Sequence, residues 1–244
     1  MLLLATRKAS LPTKNHVLAV SAKLLLANGY RNTTIKEIAQ AAEVSVSSVQ
    51  NFFVNKEGLL TELTRMMFAG QFGAARQATQ QAAVADLPPV YIYAAETAIQ
   101  LVLTDRNEQL REIYTEAYTM PETLEFIRQR TTVELKAIFG DRFPDYEESD
   151  FYEMEVGSAA LMRGYMARAS DVHFPLHRKI DRFLTAALRM YCVGEEEIRQ
   201  VLDFVHGLEL EQLAENVVRQ LFATMEAYYE EHVLRPTTAA RATR

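Results

Sequence analysis

Residues Thr33 to Leu60 read TTIKEIAQAAEVSVSSVQNFFVNKEGLL, and this stretch decides the fold. Thr34 followed three residues later by Glu37 is a capping-box pair: the hydroxyl accepts from the Glu37 amide and the carboxylate reaches back. Ile35, Ile38, Ala39 and Ala42 then recur at helical spacing, on one face. Glu43-Val44 is a turn, and Ser45 is a good N-cap for a second short helix. Over Val46 to Phe53 the 3.6-residue period puts Val49, Phe52 and Phe53 on one side. Ser47, Gln50 and Asn51 fall on the other, with Val46 at its edge. Asn55 caps a third helix, whose first turn projects Lys56. A cation is poorly placed at a helix N-terminus unless an anion such as phosphate lies nearby.

A short helix with an apolar back and a small polar front, propped by a neighbour across a tight turn, is what a helix-turn-helix DNA reader requires. The same hairpin also occurs in helical proteins away from DNA. Leu25, Gly29-Tyr30, Thr33-Thr34-Ile35, Glu37-Ile38-Ala39, Ala42, Val44-Ser45, Val49, Phe53, Lys56-Glu57 and Leu59-Leu60 keep fixed spacing over about 45 residues. In these residues the chain resembles the N-terminal domain of the tetracycline-repressor (TetR-type) family of bacterial regulators. It departs from the family pattern at Glu43 and Ser47, where Gly is usual, at Gln50, usually Tyr, and at Phe52, usually His or Tyr. The resemblance implies an all-α protein: a three-helix reader followed by a larger helical body that dimerises and binds a small-molecule effector. It further implies double-stranded operator DNA as partner. The expected DNA-binding residues are Thr33, Thr34, Ser45, Val46, Ser47, Gln50, Asn51 and Lys56. Ser47, Gln50 and Asn51 are expected to face bases or nearby phosphates, and Thr33, Thr34, Ser45 and Lys56 to hold the backbone.

Composition agrees with a helical globular chain. Its 244 residues are 49% hydrophobic and 24% charged, with only nine Gly and seven Pro, enough for one or two cores. No run of about eighteen apolar residues suggests a membrane span, and MLLLA is short for a signal sequence. A lone cysteine, Cys192, excludes an internal disulfide, fits a cytoplasmic protein and is expected to be buried. Residues 1–60 carry seven basic and three acidic side chains, and the remainder 19 and 29. A reader of charge +4 thus sits on a body of −10, as suits a protein whose body stays off the duplex.

The expected division is a reader at 1–60, an effector-binding and dimerisation domain at 61–234 and a flexible tail at 235–244. Residues 1–12 read as an arm, with Arg7 and Lys8 solvated or brushing phosphate, before a helix from Thr13 that Gly29 stops. A long helix from Lys56 to Ala83 is shared by both parts, and Asp86-Leu87-Pro88-Pro89 ends it. Helices follow at about 88–104, 107–118, 121–139, 145–169, 174–191, 194–205 and up to 233. Thr119-Met120-Pro121-Glu122 reads as a second capping box. Gly157, Ala159, Ala160 and Gly164 are small residues that allow close helix approach, and with residues 174–191 they make the expected dimer face.

No catalytic constellation, phosphate loop or metal signature is present, so the chain is not expected to be an enzyme or to carry a cofactor or metal. His173 and His177 lie four apart, but read as exposed histidines rather than ligands. Glu195, Glu196 and Glu197 read as a solvated helix start. Phe68, Phe72, Tyr91, Tyr114, Tyr118, Phe126, Tyr152, Met162 and Tyr165 have the chemistry to line a pocket for an apolar or aromatic effector. Each taken singly is also an ordinary core residue. The competing class is a helical binding protein or enzyme with a vestigial helix-turn-helix.

Overall fold

The computed structural model describes residues 2–82 and 87–229, with side chains placed for 13–82 and 87–225. Helices α1 (Leu2–Asn28), α2 (Ile35–Ala41) and α3 (Val46–Phe53) form the N-terminal unit. After them come α4 (Lys56–Gln80), α5 (Val90–Arg106), α6 (Glu108–Ala117), α7 (Pro121–Phe139), α8 (Glu148–Ala167), α9 (Leu176–Met190), α10 (Glu195–His206) and α11 (Leu210–Tyr229). A 3₁₀ turn at Gly140–Arg142 is the remaining regular element. Among the described residues there is no strand, and no helix is long and apolar enough to cross a membrane. The tail expected at 235–244 lies outside the described residues, as do the Arg7 and Lys8 side chains. The backbone of residues 2–12 continues α1 rather than forming a separate arm; Leu, Ala, Lys and Arg there are strong helix formers.

The three caps of the N-terminal unit form as their spacing demands. Thr34 Oγ1 accepts from the Glu37 amide, and Glu37 Oε2 accepts from the Thr34 amide at 2.8 Å. The Ser45 hydroxyl accepts from Ser48 N at 3.0 Å, and Asn55 Oδ1 from Gly58 N at 2.8 Å. Gly29 ends α1 at φ +83°, the left-handed conformation of a helix-terminating glycine. The links around α3 are tight. Glu43, at the end of α2, adopts φ 54°, which explains why glycine suits that place. Val54 turns the chain from α3 into α4 at φ 63° and ψ −57°, with the Asn55 amide donating to Phe53 O at 2.6 Å; this is a γ-turn, strained for a β-branched residue. Gly58 lies so close to this turn that a Cβ would sit 2.1 Å from the Phe53 carbonyl oxygen.

In the body, α5 is the central post. From Val90 to Thr104 every residue but Ile92 is buried, and α4, α6, α7, α8, α9, α10 and α11 all pack against it. A helix apolar all round is one buried all round. α11 returns along α4 and α5 to lie on α1, so the described C-terminal segment touches both parts of the molecule. The turn after α8 is pinned by Lys179, whose buried ammonium meets Asp105 Oδ1 at 2.7 Å and the Arg168 carbonyl; Asp105 also accepts from Ser170 N.

Two expectations change. Thr119 does not cap α7: its hydroxyl donates to Thr115 O and accepts from Arg163, and Met120 is the cap residue with no side-chain bond. The free amides there go to Glu57, in the first turn of α4, whose Oε1 accepts from Glu122 N at 2.8 Å and Thr123 N at 3.4 Å. Cys192 is exposed rather than buried, because it takes φ 54° in the turn after α9, directing its side chain outward.

The interior also holds charged groups. Glu96, Glu134 and Glu155 are buried, from α5, α7 and α8. Glu134 is paired with Arg76 at 2.8 Å and with Arg130. Burial, aided by Glu134, raises the Glu96 carboxyl to about 8, and burial raises Glu155 strongly.

Two outcomes follow for stability. Glu43→Gly removes the left-handed strain and should raise the unfolding free energy by about 1 kcal/mol, read by urea titration, provided the helices are unchanged by circular dichroism. Because Glu96 is protonated in the folded chain over a range where it ionises in the unfolded one, stability is lost as pH rises from roughly 4.5 to about 8. The gain in melting temperature from Glu96→Gln should therefore be small near pH 4.5, grow toward pH 8, and level off. A gain independent of pH would show that the carboxyl is not carried neutral.

Candidate DNA-reading face and interior cavity

α3 presents the two faces its periodicity demands. Val49 and Phe53 are buried, Phe52 is half-buried with its ring 6.1 Å from that of Phe53, and Val46, Ser47, Gln50 and Asn51 are exposed on the outer side. The Ser45 hydroxyl lies 2.8 Å from those of both Ser47 and Ser48, so the start of the helix carries a small hydroxyl cluster. Thr34 is exposed but holds Glu37. Thr33 is completely buried, its hydroxyl donated to Gly29 O at 2.8 Å; it braces the turn after α1 and its side chain is withdrawn from the surface.

Lys56 is more engaged than its place in the sequence suggests. Its ammonium sits 4.1 Å from the centroid of the Tyr30 ring. Burial lowers its pKa, while Glu112, Glu116 and Glu37 act in the other direction. Tyr30 is pushed up to about 12 by burial and by Glu57 and Glu116. Beside it, Arg31 Nε donates to Glu116 at 2.8 Å and Arg31 N to Glu112 Oε1 at 2.9 Å. α6 therefore grips the segment between α1 and α2 with two carboxylates. The Glu57 contact with α7 and the Thr61–Thr123 hydroxyl pair at 2.8 Å grip the start of α4.

The nine aromatic and methionine residues expected around an effector do not form one group. Phe68, Phe72, Tyr118 and Met162 do line a common cavity in the body. Tyr114 lines a separate apolar cavity of about 30 Å³ against α1, α4, α6 and α11, and its hydroxyl accepts from Gln71. Tyr91 packs edge-on against Phe204 of α10. Phe126 is covered by the Arg65 guanidinium, 4.3 Å from its ring centroid. Tyr152 donates to Glu125 at 2.7 Å near the surface, and Tyr165 packs on Phe174 and Phe183. Which face of each helix turns inward decides this division, and hydrophobicity alone carries no such information.

The cavity that Phe68 and Phe72 line has a polar wall that aromatic content does not reveal. Tyr93, Glu96, Thr97 and Gln100 reach it from α5, Thr131 and Glu134 from α7, and Glu155 and Ser158 from α8. Gln100 bridges Tyr118 OH at 3.1 Å and the Met166 sulfur at 3.4 Å. The space measures about 20 Å³, enough for one water. Glu96 had a signal in the sequence: it is the lone charge between Val90 and Thr104. His173 and His177 are exposed, before and within the first turn of α9. Glu195 and Glu197 are ion-paired with Arg189 and Arg142 at the exposed start of α10.

The exposed α3 face lies within a segment that matches known proteins. Residues 17–63 match the family model of bacterial regulatory proteins of the tetR family. Over 52 residues the chain is 44% identical to an uncharacterized HTH-type transcriptional regulator, YvkB, of Bacillus subtilis (strain 168). That match takes in 21% of this chain and 28% of the relative's length. The caps, the buried back of α3 and its exposed front all lie inside the matched segment, so residues 17–63 are similar to the N-terminal helix-turn-helix domain of bacterial regulatory proteins of the tetR family.

Proposed function

We propose that this chain is a DNA-binding transcriptional repressor that sits on a palindromic operator as a homodimer and is released by a small-molecule effector. The observation that carries the reading is the outer face of α3, where Val46, Ser47, Gln50 and Asn51 stand exposed on a helix whose other side packs through Val49 and Phe53. We assign the reader to residues 1–60 and the effector-binding and dimerisation part to 61–234, the two joined within α4. Ser47, Gln50 and Asn51 face bases or nearby phosphates; Thr34, Ser45 and Lys56 lie along the backbone, and Thr33 supports them from within.

Dimerisation follows from size. One reader of three helices covers roughly 600–1,000 Å², too little for tight specific binding, and a two-fold dimer doubles it. The half-sites then lie one helical turn apart or a multiple of that. The outer face of α8 suits a partner helix. Val156, Gly157, Ala160 and Gly164 are exposed at helical spacing, and Ala160, Leu161 and Gly164 border an open groove with Tyr165, Arg168 and Phe174. Small residues there let a second α8 approach closely.

No Lys or Arg lies between Val44 and Asn55, so the commonest guanine contact is unavailable from α3. Gln and Asn suit adenine N6 and N7, and Val46 suits a thymine methyl. Selection of bound sequences from a random DNA pool should therefore return half-sites with A·T pairs at the α3 contacts; G·C pairs at the half-site centres would refute this assignment of the outer face. Asn51→Ala should cost about 1–3 kcal/mol and relax preference at one position per half-site, whereas Lys56→Ala should weaken all sequences alike and flatten the salt slope by about one unit. In light scattering the wild type should be a dimer at micromolar concentration and Ala160→Arg a monomer. A monomeric wild type, with Ala160→Arg making no difference, would remove the dimer face.

A further inference from the structure

The polar wall of the body cavity carries an inference that rests on the effector reading and sharpens it. Three carboxylates from three helices converge there, and the protein treats them differently. Glu134 is held by Arg76 and Arg130. Glu96 Oε1 and Glu155 Oε2 are buried without a hydrogen-bond partner, as are Tyr93 OH and Thr131 Oγ1. Glu96 is 4% exposed and Glu155 2%. All four residues line the same cavity, as do the rings of Phe68, Phe72, Tyr118 and Phe183.

Buried polar atoms are almost always paired, and an unpaired carboxyl is costly to bury even when burial keeps it neutral. A purely structural interior would place a leucine at Glu96 or an arginine against it; Arg128, the third arginine of this region, acts on Glu155 and keeps its own Nε unpaired. Each of the four unpartnered oxygens can accept a hydrogen bond, and aromatic rings line the same space. Such a set calls for a positive group with several N–H donors on an apolar body; a carboxylate or phosphate there would be buried beside Glu134 and two carboxyls that would have to stay protonated to receive it. An aliphatic alcohol brings a single O–H donor, whereas a primary ammonium brings three and a charge. Aromatic faces add attraction for a cation.

We propose that the effector is a lipophilic amine, an ammonium joined to an aromatic or aliphatic body, with Glu96 and Glu155 as its carboxylate partners and the Phe68, Phe72, Tyr118 and Phe183 rings around its apolar part. The cavity as it stands has room for one water, so entry requires lining side chains such as Gln100, Ile138 and Met162 to move. The ammonium remains protonated; a carboxyl that is neutral before binding releases its proton to solvent and becomes the anion that pairs with it. The other charged groups near these two carboxyls are Glu134 with its two arginines, and Arg128, which favours the ionised form of Glu155. Tyr93 and Tyr118, raised by burial, stay neutral. Glu96 is therefore the principal partner.

The test uses a ladder of phenylalkylamines with two to six methylenes, each beside its alcohol of the same length. Binding to the full chain without DNA is followed by calorimetry at pH 7.5 in two buffers of different ionisation heat. At least one amine should bind tenfold or more tighter than its alcohol and show proton release between the two buffers. Glu96→Gln should bring that amine down to the level of its alcohol, and Glu155→Gln should reduce the preference in part, both variants remaining folded by circular dichroism. Amines that nowhere exceed their alcohols, absence of binding along the whole ladder, as expected if the cavity merely holds a water, or a preference that survives Glu96→Gln would each overturn the inference. Operator binding, measured separately, distinguishes it from the wider reading. An amine that binds through Glu96 yet leaves DNA affinity unchanged sinks effector release and keeps the site. Release of DNA by neutral apolar molecules with no amine preference does the reverse.

Discussion

The Glu57 carboxylate at the N-terminus of α7 is the contact on which the relation between the two parts of the molecule depends. It satisfies amides that no nearby side chain reaches, accepting from Glu122 N and Thr123 N across 65 and 66 residues of chain. An anion at a helix N-terminus is favourably placed, and here the anion belongs to the first turn of α4, immediately after the strained turn that ends α3. α3 is thus positioned from two directions: by the apolar packing of Val49 and Phe53 behind it, and by a helix start whose acidic side chain is fixed to the body. The tight passage through Val54, Asn55 and Gly58 leaves little slack between them. A Cβ at Gly58 would collide with the Phe53 carbonyl, so a shift of α4 is passed on to α3 rather than absorbed by the turn.

α7 also forms a wall of the polar cavity through Thr131, Glu134, Leu135 and Ile138. From Thr123, at the clamped end, to Glu134 is eleven residues, about 16 Å of helix at 1.5 Å per residue. One rigid element therefore has its first turn on Glu57 and its third and later turns on the proposed effector site. A ligand changes an equilibrium only by its different affinity for two states. A cavity closed to the volume of one water meets that requirement directly, because whatever enters must move a wall. The buried, unpaired Glu96 and Glu155 make the closed form costly, and such a cost is offset when a partner of the right charge arrives. Function and stability pull against each other at these two residues.

How much of this was legible depended on the range of the interactions. Thr34, Ser45 and Asn55 could be read as caps because donor and acceptor lie within three residues of each other. The two faces of α3 followed from periodicity alone. Thr119 read equally well as a cap and is not one, since a residue more than sixty positions away supplies the acceptor. Thr33 lies beside the exposed Thr34 yet turns inward, because its hydroxyl has the Gly29 carbonyl within reach one turn back. The pocket divided for the same reason: Tyr91, Phe126, Tyr152 and Tyr165 have the chemistry of pocket residues, but their helices turn them toward α10, α4, Glu125 and α9. The burial of α5 accords with its largely apolar composition, in which Glu96 is the lone charge between Val90 and Thr104. Lone cysteines are usually buried, but Cys192 is turned outward by a left-handed turn residue, which composition does not encode.

The charges around α3 are set by its neighbours as well. α3 has no basic residue, so positive charge near the proposed DNA face comes from its neighbours, Arg31 and Lys56 among them. Both are already committed: Arg31 to Glu112 and Glu116, and Lys56 to the Tyr30 ring within the field of the same two carboxylates. A DNA phosphate reaching these cations competes with α6 for them. The competition is between weak interactions, since the Arg31 side chain is 77% exposed and water screens such pairs. It nevertheless has a direction. Each phosphate that pairs with Arg31 or Lys56 loosens the grip of α6 on the segment between α1 and α2, while the Glu57 clamp on α7 is untouched. On the proposed reading, the reader engaged with DNA is then held to the body chiefly through α4 and α7, and α7 is the helix that a ligand in the polar cavity must displace.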